Sequence, residues 1–364
     1  MKRLLCIVSS MDTGGAETFL MKTYRQLDKT RYQMDFITVT SEEGYYNKEI
    51  KAMGGRIYNV PLHTKHPIRA YNEIKRIVKT GEYKYILKLL GSPVGVIDLY
   101  AAKAGGATQL CARSCIGKHR ESKVKRAFNV PLRMMLRKIS TVKFAPSDLA
   151  ARYTFGDSAY ERGEVVMLHN ALDLQTFRYS EIARKKIREE LGVTDSYVIG
   201  HIGRFTSQKN HEFLIKLFYE VLKRKPEAKL VLVGTGLLQR EIKVLCNSFG
   251  VSERVVFTGV RDDVPALLSA FDIFVLPSLY EGMPNTCIEA QASGLRCLIS
   301  DSITRQAAIT SNVEYLPISD TFPWIESIMK RMDIDRLSVN NSLIGSKYDI
   351  TIEINRFIKS VFGD

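Results

Sequence analysis

Short apolar runs rich in β-branched residues alternate with helical patterns from one end of this 364-residue chain to the other. Seven such runs, from RLLCIVSS at 3–10 to VVMLHN at 165–170, occupy the first half. Six more, from YVIGHIG at 197–203 to EYLPI at 314–318, occupy the second. Between them lie segments such as HEFLIKLFYEVLKR (211–224) and GLLQREIKVLCNSF (236–249), whose apolar residues recur at helical spacing. Strand–helix alternation of this kind predicts parallel sheets with helices on both faces. The chain is also too long for one ordinary core. The polar, charged and partly helical stretch 171–196 separates the two series, so the boundary falls near residue 172 and two doubly wound α/β domains of similar size result.

Composition narrows the class. Apolar residues make up 45% and charged residues 25% of the chain, the balance of a soluble globular protein. No apolar run reaches the roughly 18 to 20 residues a membrane-spanning helix needs. The N-terminal MKRLLCIVSSMDTGG breaks into Gly-Gly and reads as a first strand, not a signal peptide. The six cysteines lie mostly in apolar strands or helices and show no metal-ligand spacing beyond the lone Cys111–Cys115 separation, which points to reduced cytoplasmic thiols.

The net charge of +14 favours anionic partners. Nine Lys and Arg residues and a single acid, Glu121, lie between Gly117 and Lys143. Val124, Phe128, Leu132, Met135 and Ile139 interleave with them at helical spacing, broken once by Pro131. The pattern fits a core helix with a solvated basic face, and it fits a helix pair resting on anionic headgroups over 117–143. No nucleic-acid motif accompanies the charge, so nucleic acid is not expected as a partner.

Ligands of open parallel sheets bind beyond the carboxyl ends of strands, and four strand ends carry unusual residues. In SSMDTGGAETFL, Gly14 and Gly15 let backbone N–H groups approach an anion at a helix start. The pair is not the dinucleotide fingerprint, which argues against a nicotinamide enzyme. In GHIGRFTSQKN, Arg204 follows Gly203 at a strand end and Lys209 stands ahead of a helix; two such cations suit a diphosphate. In LVGTGLLQREI, Gly234 and Gly236 open another helix, a pattern that a plain tight turn also explains, and the backbone after Gly259, at Val260, could read a base edge. In PSLYEGMPNTCIEAQASGL, Glu281 and Glu289 flank a turn whose N–H groups around Pro284, Asn285 and Thr286 form an anion site. Carboxylates there make sense as acceptors for sugar and ribose hydroxyls, although balance of the helix dipole accounts for either one alone.

With these residues in order, the chain resembles glycosyltransferase family 4. GGAET, GRFTSQKN, VGTG and VVFTGVRDDVPALLSAFDIFVLPSLYEGMPNTCIEAQASGL follow the motif order of that family over most of the length, and the details look most like exopolysaccharide and capsule enzymes. The resemblance implies the GT-B fold: two doubly wound Rossmann-like domains facing an interdomain cleft. Residues 1–172 would bind acceptor and 173–345 the nucleotide-sugar, and 346–364 would form a helix crossing back to the first domain. It also implies retaining, metal-independent transfer of a hexosyl or N-acetylhexosaminyl group, from a UDP-sugar in preference to a GDP-sugar, without a cofactor.

Glu281, Arg204 and Lys209 are the catalytic residues by this likeness. Donor contacts fall to Gly14, Gly15, Arg204, Lys209, Val260, Glu281, Gly282, Met283, Pro284, Asn285, Thr286 and Glu289. On the acceptor side the chain departs from its relatives: ARSC places Arg113 and Cys115 where histidines are usual, with His119 and His169 nearby in sequence. The expected acceptor is a lipid-linked saccharide, and the expected location is the cytoplasmic face of the plasma membrane, with residues 117–143 on its anionic surface. The alternative is a catalytically impaired relative, an epimerase-like enzyme or a scaffold of the same fold.

Overall fold

All thirteen apolar runs form strands, and every strand pairs in parallel. The computed structural model describes residues 1–12, 14–39, 42–62, 65–115, 123–281 and 283–364, with backbone alone over 123–127. Glu121, His119 and Gly282 therefore lie outside the described residues. The described chain divides into two units, residues 1–171 with 350–364 and residues 172–349.

Unit 1 holds a seven-stranded sheet in the order β3-β2-β1-β4-β5-β6-β7. Its strands are β1 (Lys2–Ile7), β2 (Tyr32–Thr38), β3 (Ile57–Asn59), β4 (Tyr85–Leu90), β5 (Gln109–Ser114), β6 (Val142–Ala145) and β7 (Val165–Met167). One face packs Leu5, Ile7, Ile86 and Leu90 against helices Pro67–Thr80 and Val96–Ala104. The other packs Leu4, Cys6, Phe36 and Leu87 against helix Gly15–Gln26 and the last helix, Ile350–Phe362. Alternate residues of one strand thus enter opposite cores, as parallel strands buried on both faces require. The last helix is held by the Phe144–Phe357 stack, by Phe362 against Tyr32, and by Glu353, which accepts the His169 N–H at 2.9 Å.

Unit 2 holds a six-stranded sheet in the order β10-β9-β8-β11-β12-β13. Its strands are β8 (Tyr197–Ile202), β9 (Ala228–Val233), β10 (Val255–Gly259), β11 (Ile273–Leu276), β12 (Arg296–Ser300) and β13 (Val313–Leu316). Cores again lie on both faces, one around Phe271, Phe274 and Ile288, the other around Phe218, Leu232 and Trp324. In each unit the strand order reverses beside the first strand, at β1–β4 and at β8–β11, which is where open sheets leave a crevice at their carboxyl ends.

One expectation is corrected. Pro131 does not break its segment into a helix pair; a single helix runs Lys123–Ile139 with the proline inside. Pro131 sits on the exposed side, where water can take the carbonyl that its missing N–H leaves unpaired. Leu136 and Ile139 of this helix are buried, whereas Phe128, Val130, Met134 and Met135 are exposed, Phe128 by 66%. Among the described residues no helix is long and apolar enough to cross a membrane.

Candidate functional site

Two loops leave the β8–β11 switch point of unit 2 and are stitched together. After β8, Gly203 donates to Val233 O at 2.9 Å, and a short turn, Ser207–Lys209, leads into helix His211–Arg224 through Asn210 in the left-handed conformation. After β11 comes Pro277–Glu281. Leu279 N donates to Gln208 O at 2.8 Å, Gln208 Nε2 to Tyr280 O at 3.0 Å, and Asn210 Nδ2 to Pro277 O at 3.2 Å.

Within this frame Lys209 and Glu281, predicted separately, meet as a mostly buried ion pair with Nζ 2.6 Å from Oε1. Ser278 Oγ adds a bond to the same oxygen at 2.9 Å, and Gln208 Nε2 reaches Oε2 at 3.2 Å. A carboxylate offers about four acceptor positions; three are taken, so the one remaining is on Oε2. Arg204 is exposed on the same loop, and among the described residues its guanidinium has no partner. Sequence reasoning missed Gln208, Ser278 and Asn210. Their signal was the polar run Ser207–Asn210 and the serine three residues before Glu281, which looked like ordinary loop composition.

The glycines of the neighbouring turn are fixed by close backbone approach. Gly234 has φ +128°, and a Cβ on it would lie 2.3 Å from Gly203 O; one on Gly236 would lie 2.6 Å from Phe205 O. The tight-turn reading therefore suffices for both. Val260 is exposed at the end of β10.

Helix Asn285–Ala292 begins after Pro284 and ends at Gly294, which has φ +71°. Its first N–H groups have no acceptor within the helix. Thr286 Oγ1 is buried there without a partner among the described residues. Met283 is half-buried, and Glu289 is buried in the second turn.

Beneath the loop lie two imidazoles. His201 bonds Val275 O through Nδ1 at 2.8 Å, and its ring meets that of His211 edge to face at 4.8 Å; His211 in turn stacks on Phe205 at 4.2 Å. Burial holds the His201 pKa well below the usual value, and burial with Lys209 nearby lowers that of His211 to about 4.

The remaining predicted residues belong to unit 1. Gly14 precedes helix Gly15–Gln26, and the chain's own Glu17 carboxylate stands over it: a Cβ on Gly14 would lie 2.2 Å from Glu17 Oε2. Arg113, next to last in β5, is buried and donates to Asn170 Oδ1 at 2.8 Å. His169 lies against Glu353, with Nδ1 3.7 Å from Oε1. Among the described residues no cluster of His, Cys, Asp and Glu has the grouping of a metal site.

Comparison with known proteins adds the following. The sequence profile of the family described as "Glycosyl transferases group 1" matches residues 196–321, the stretch that contains both stitched loops. EpsF of Bacillus subtilis, a protein named as a glycosyltransferase, is 35% identical over 341 residues, 90% of this chain and 87% of that protein. A UDP-Gal:alpha-D-GlcNAc-diphosphoundecaprenol alpha-1,3-galactosyltransferase of Escherichia coli is 28% identical over 48% of this chain and 47% of its own. The crystal structure of Anabaena HepE in complex with UDP covers the full length of both chains with a TM-score of 0.80 at 18% identity, a likeness of fold.

Proposed function

Since the chain belongs to the group 1 glycosyl transferases and has their GT-B fold, we propose that it transfers a hexosyl or N-acetylhexosaminyl group from a nucleotide-sugar to a lipid-linked saccharide. The transfer retains configuration at the anomeric carbon and serves polysaccharide synthesis. The observation that carries this reading is the Lys209–Glu281 pair at the β8–β11 switch point, with the unpaired Arg204 on the same loop.

The chemistry follows from these groups. The bond from the anomeric carbon to the diphosphate oxygen breaks, and negative charge grows on the diphosphate. Arg204 and Lys209 stabilise that charge, together with the first-turn N–H groups of helix Asn285–Ala292; fixed donors of this kind act where charge develops in the transition state. Glu281 cannot turn freely, because Lys209, Ser278 and Gln208 hold it. Its spare acceptor position takes a hydroxyl of the donor sugar, and Glu289 takes the ribose hydroxyls. The acceptor hydroxyl enters on the face from which the diphosphate leaves and passes its proton to the departing phosphate oxygen. A UDP-sugar is favoured over a GDP-sugar because HepE was solved with UDP and the galactosyltransferase relative is named for UDP-Gal. A lipid diphosphate carrier is favoured because that relative is named for one. Unit 1 would rest on anionic lipid at the cytoplasmic face through helix Lys123–Ile139.

Thermal shift with UDP, GDP and ADP tests the donor half, since a ligand bound only by the native state raises its stability. One of the three is expected to raise Tm, and Arg204→Ala is expected to abolish the rise. A flat response to all three overturns the reading.

A further inference from the structure

Arg113 carries a charge that its surroundings leave uncompensated. It sits at the carboxyl end of β5, one strand from the β1–β4 reversal, and is 2% exposed. One Nη donates to Asn170 Oδ1 at 2.8 Å; the other has only Cys115 Sγ, at 3.8 Å. The guanidinium carbon lies 3.7 Å from the ring centre of Phe19, and Nε is buried with no acceptor. Among the described residues no carboxylate bonds it. Glu353, whose charge reaches it, already accepts the His169 N–H at 2.9 Å and the Arg356 guanidinium at 2.8 Å. Burial accordingly pushes the Arg113 pKa down.

A buried cation is costly to the fold unless an anion is paired with it, and an aromatic face returns only part of that cost. A strand end needs no charge for packing, and an apolar side chain would fill the same space. What distinguishes Arg113 is two donors without an oxygen acceptor, Nε and the Nη facing Cys115, at the end of the sheet where ligands bind. Cys115 and Asn170 beside it are only half-buried, so the position opens on that side.

We propose that Arg113, held by Asn170 and Phe19, forms a binding site in unit 1 for an oxyanion carried by the substrate. The fork of donors fits a phosphate or a carboxylate. The carrier, which rests on the transferase reading, is either a diphosphate-linked acceptor or a uronic acid residue.

Cys115 reports on the site, because it alone of the six cysteines is not buried. The experiment measures alkylation of Cys115 by iodoacetamide in the full-length protein, resolved by peptide mass spectrometry, with pyrophosphate, glucuronate or neutral glucose as probe. An oxyanion on Arg113 covers the thiol and removes the cation that favours its thiolate. At ten times its dissociation constant a bound probe is expected to slow the reaction about ten-fold. Arg113→Met is expected to lose the protection, and Arg113→Lys, with charge but no fork, to keep less of it; the lysine variant decides alone if the methionine variant does not fold.

Protection by pyrophosphate alone assigns the diphosphate, and protection by glucuronate alone assigns the uronate. Protection by neither, by glucose equally, or undiminished in both variants overturns the proposal. The rise in Tm with the same probes in an Arg204→Ala background gives a second readout. Nucleotide stabilisation through Arg204 tests the transferase reading separately, since Arg204 and Cys115 belong to different units.

Discussion

Glu281 accepts three hydrogen bonds, one of them from the Lys209 ammonium, and replacing its carboxylate separates charge from shape. Glu281→Gln keeps the volume and one acceptor oxygen but leaves Lys209 partly buried without its counter-ion. The loss is about 1.5–3 kcal/mol of stability, the range for hydrogen bonds to charged groups. Chemical denaturation is expected to show that drop. Nucleotide affinity is expected to hold, since Lys209 is then free to face phosphate, while sugar transfer falls. Loss of nucleotide binding equal to that of Arg204→Ala would show that Glu281 only orients Lys209. The sequence marked both residues by their place at strand ends, but not their pairing, because 72 positions separate them. The same limit hid the surroundings of Arg113, though not the residue itself. A basic residue at the end of an apolar run is visible in sequence, yet whether a carboxylate meets it depends on Phe19, Asn170 and Glu353, which arrive from three distant elements.

At the scale of elements, the join between β8 and helix His211–Arg224 contains a pH dependence. His201 and His211 are buried, and the lowered His211 pKa, about 4, lies below the usual 6.5 of the unfolded chain. The unfolded state therefore binds more protons between those values, so this contribution is fully present above about pH 6.5 and is lost as pH falls toward 4. A shift of that size is worth about 3 kcal/mol. His211→Gln is expected to flatten the fall in Tm between pH 6.5 and 4 relative to the wild type, with Lys209 and Glu281 unchanged in both. Parallel curves would show that His211 is not buried neutral.

Elements were far more legible than this join. Each strand was written as a short β-branched run, and helix His211–Arg224 matches its periodic segment end to end. Pro131 was misread because a proline signals a break, whereas the solvent side of a helix tolerates one.

For the whole molecule, charge is divided unequally. Unit 1 holds 31 Lys and Arg against 17 acids, and unit 2 holds 22 against 22, so the entire excess of 14 belongs to unit 1. The proposed nucleotide binding at Arg204 and Lys209 would not need that excess, because unit 2 would bind with local cations on a neutral body. A long-range field on one unit would favour association with an extended anionic partner. Helix Lys123–Ile139 would give such a contact its chemistry: Phe128, Val130, Met134 and Met135 are exposed, as is Lys138. Apolar side chains entering the headgroup layer with lysines above them form an interfacial helix.

Each basic residue near an anionic surface contributes about 1 kcal/mol, or roughly five-fold in partition. In a vesicle flotation assay, Lys138→Glu is therefore expected to weaken binding to phosphatidylserine vesicles at least that much. Phe128→Ser is expected to weaken binding to anionic vesicles at any salt, since its contribution is apolar. Raising salt is expected to weaken the wild type and to spare the residual binding of a charge-depleted helix, because screening acts within about 10 Å at 0.1 M. Equal flotation with neutral phosphatidylcholine would remove the electrostatic half of this argument. Wild-type binding by Phe128→Ser would remove the other half, and would leave charge alone as the source of any preference for anionic vesicles.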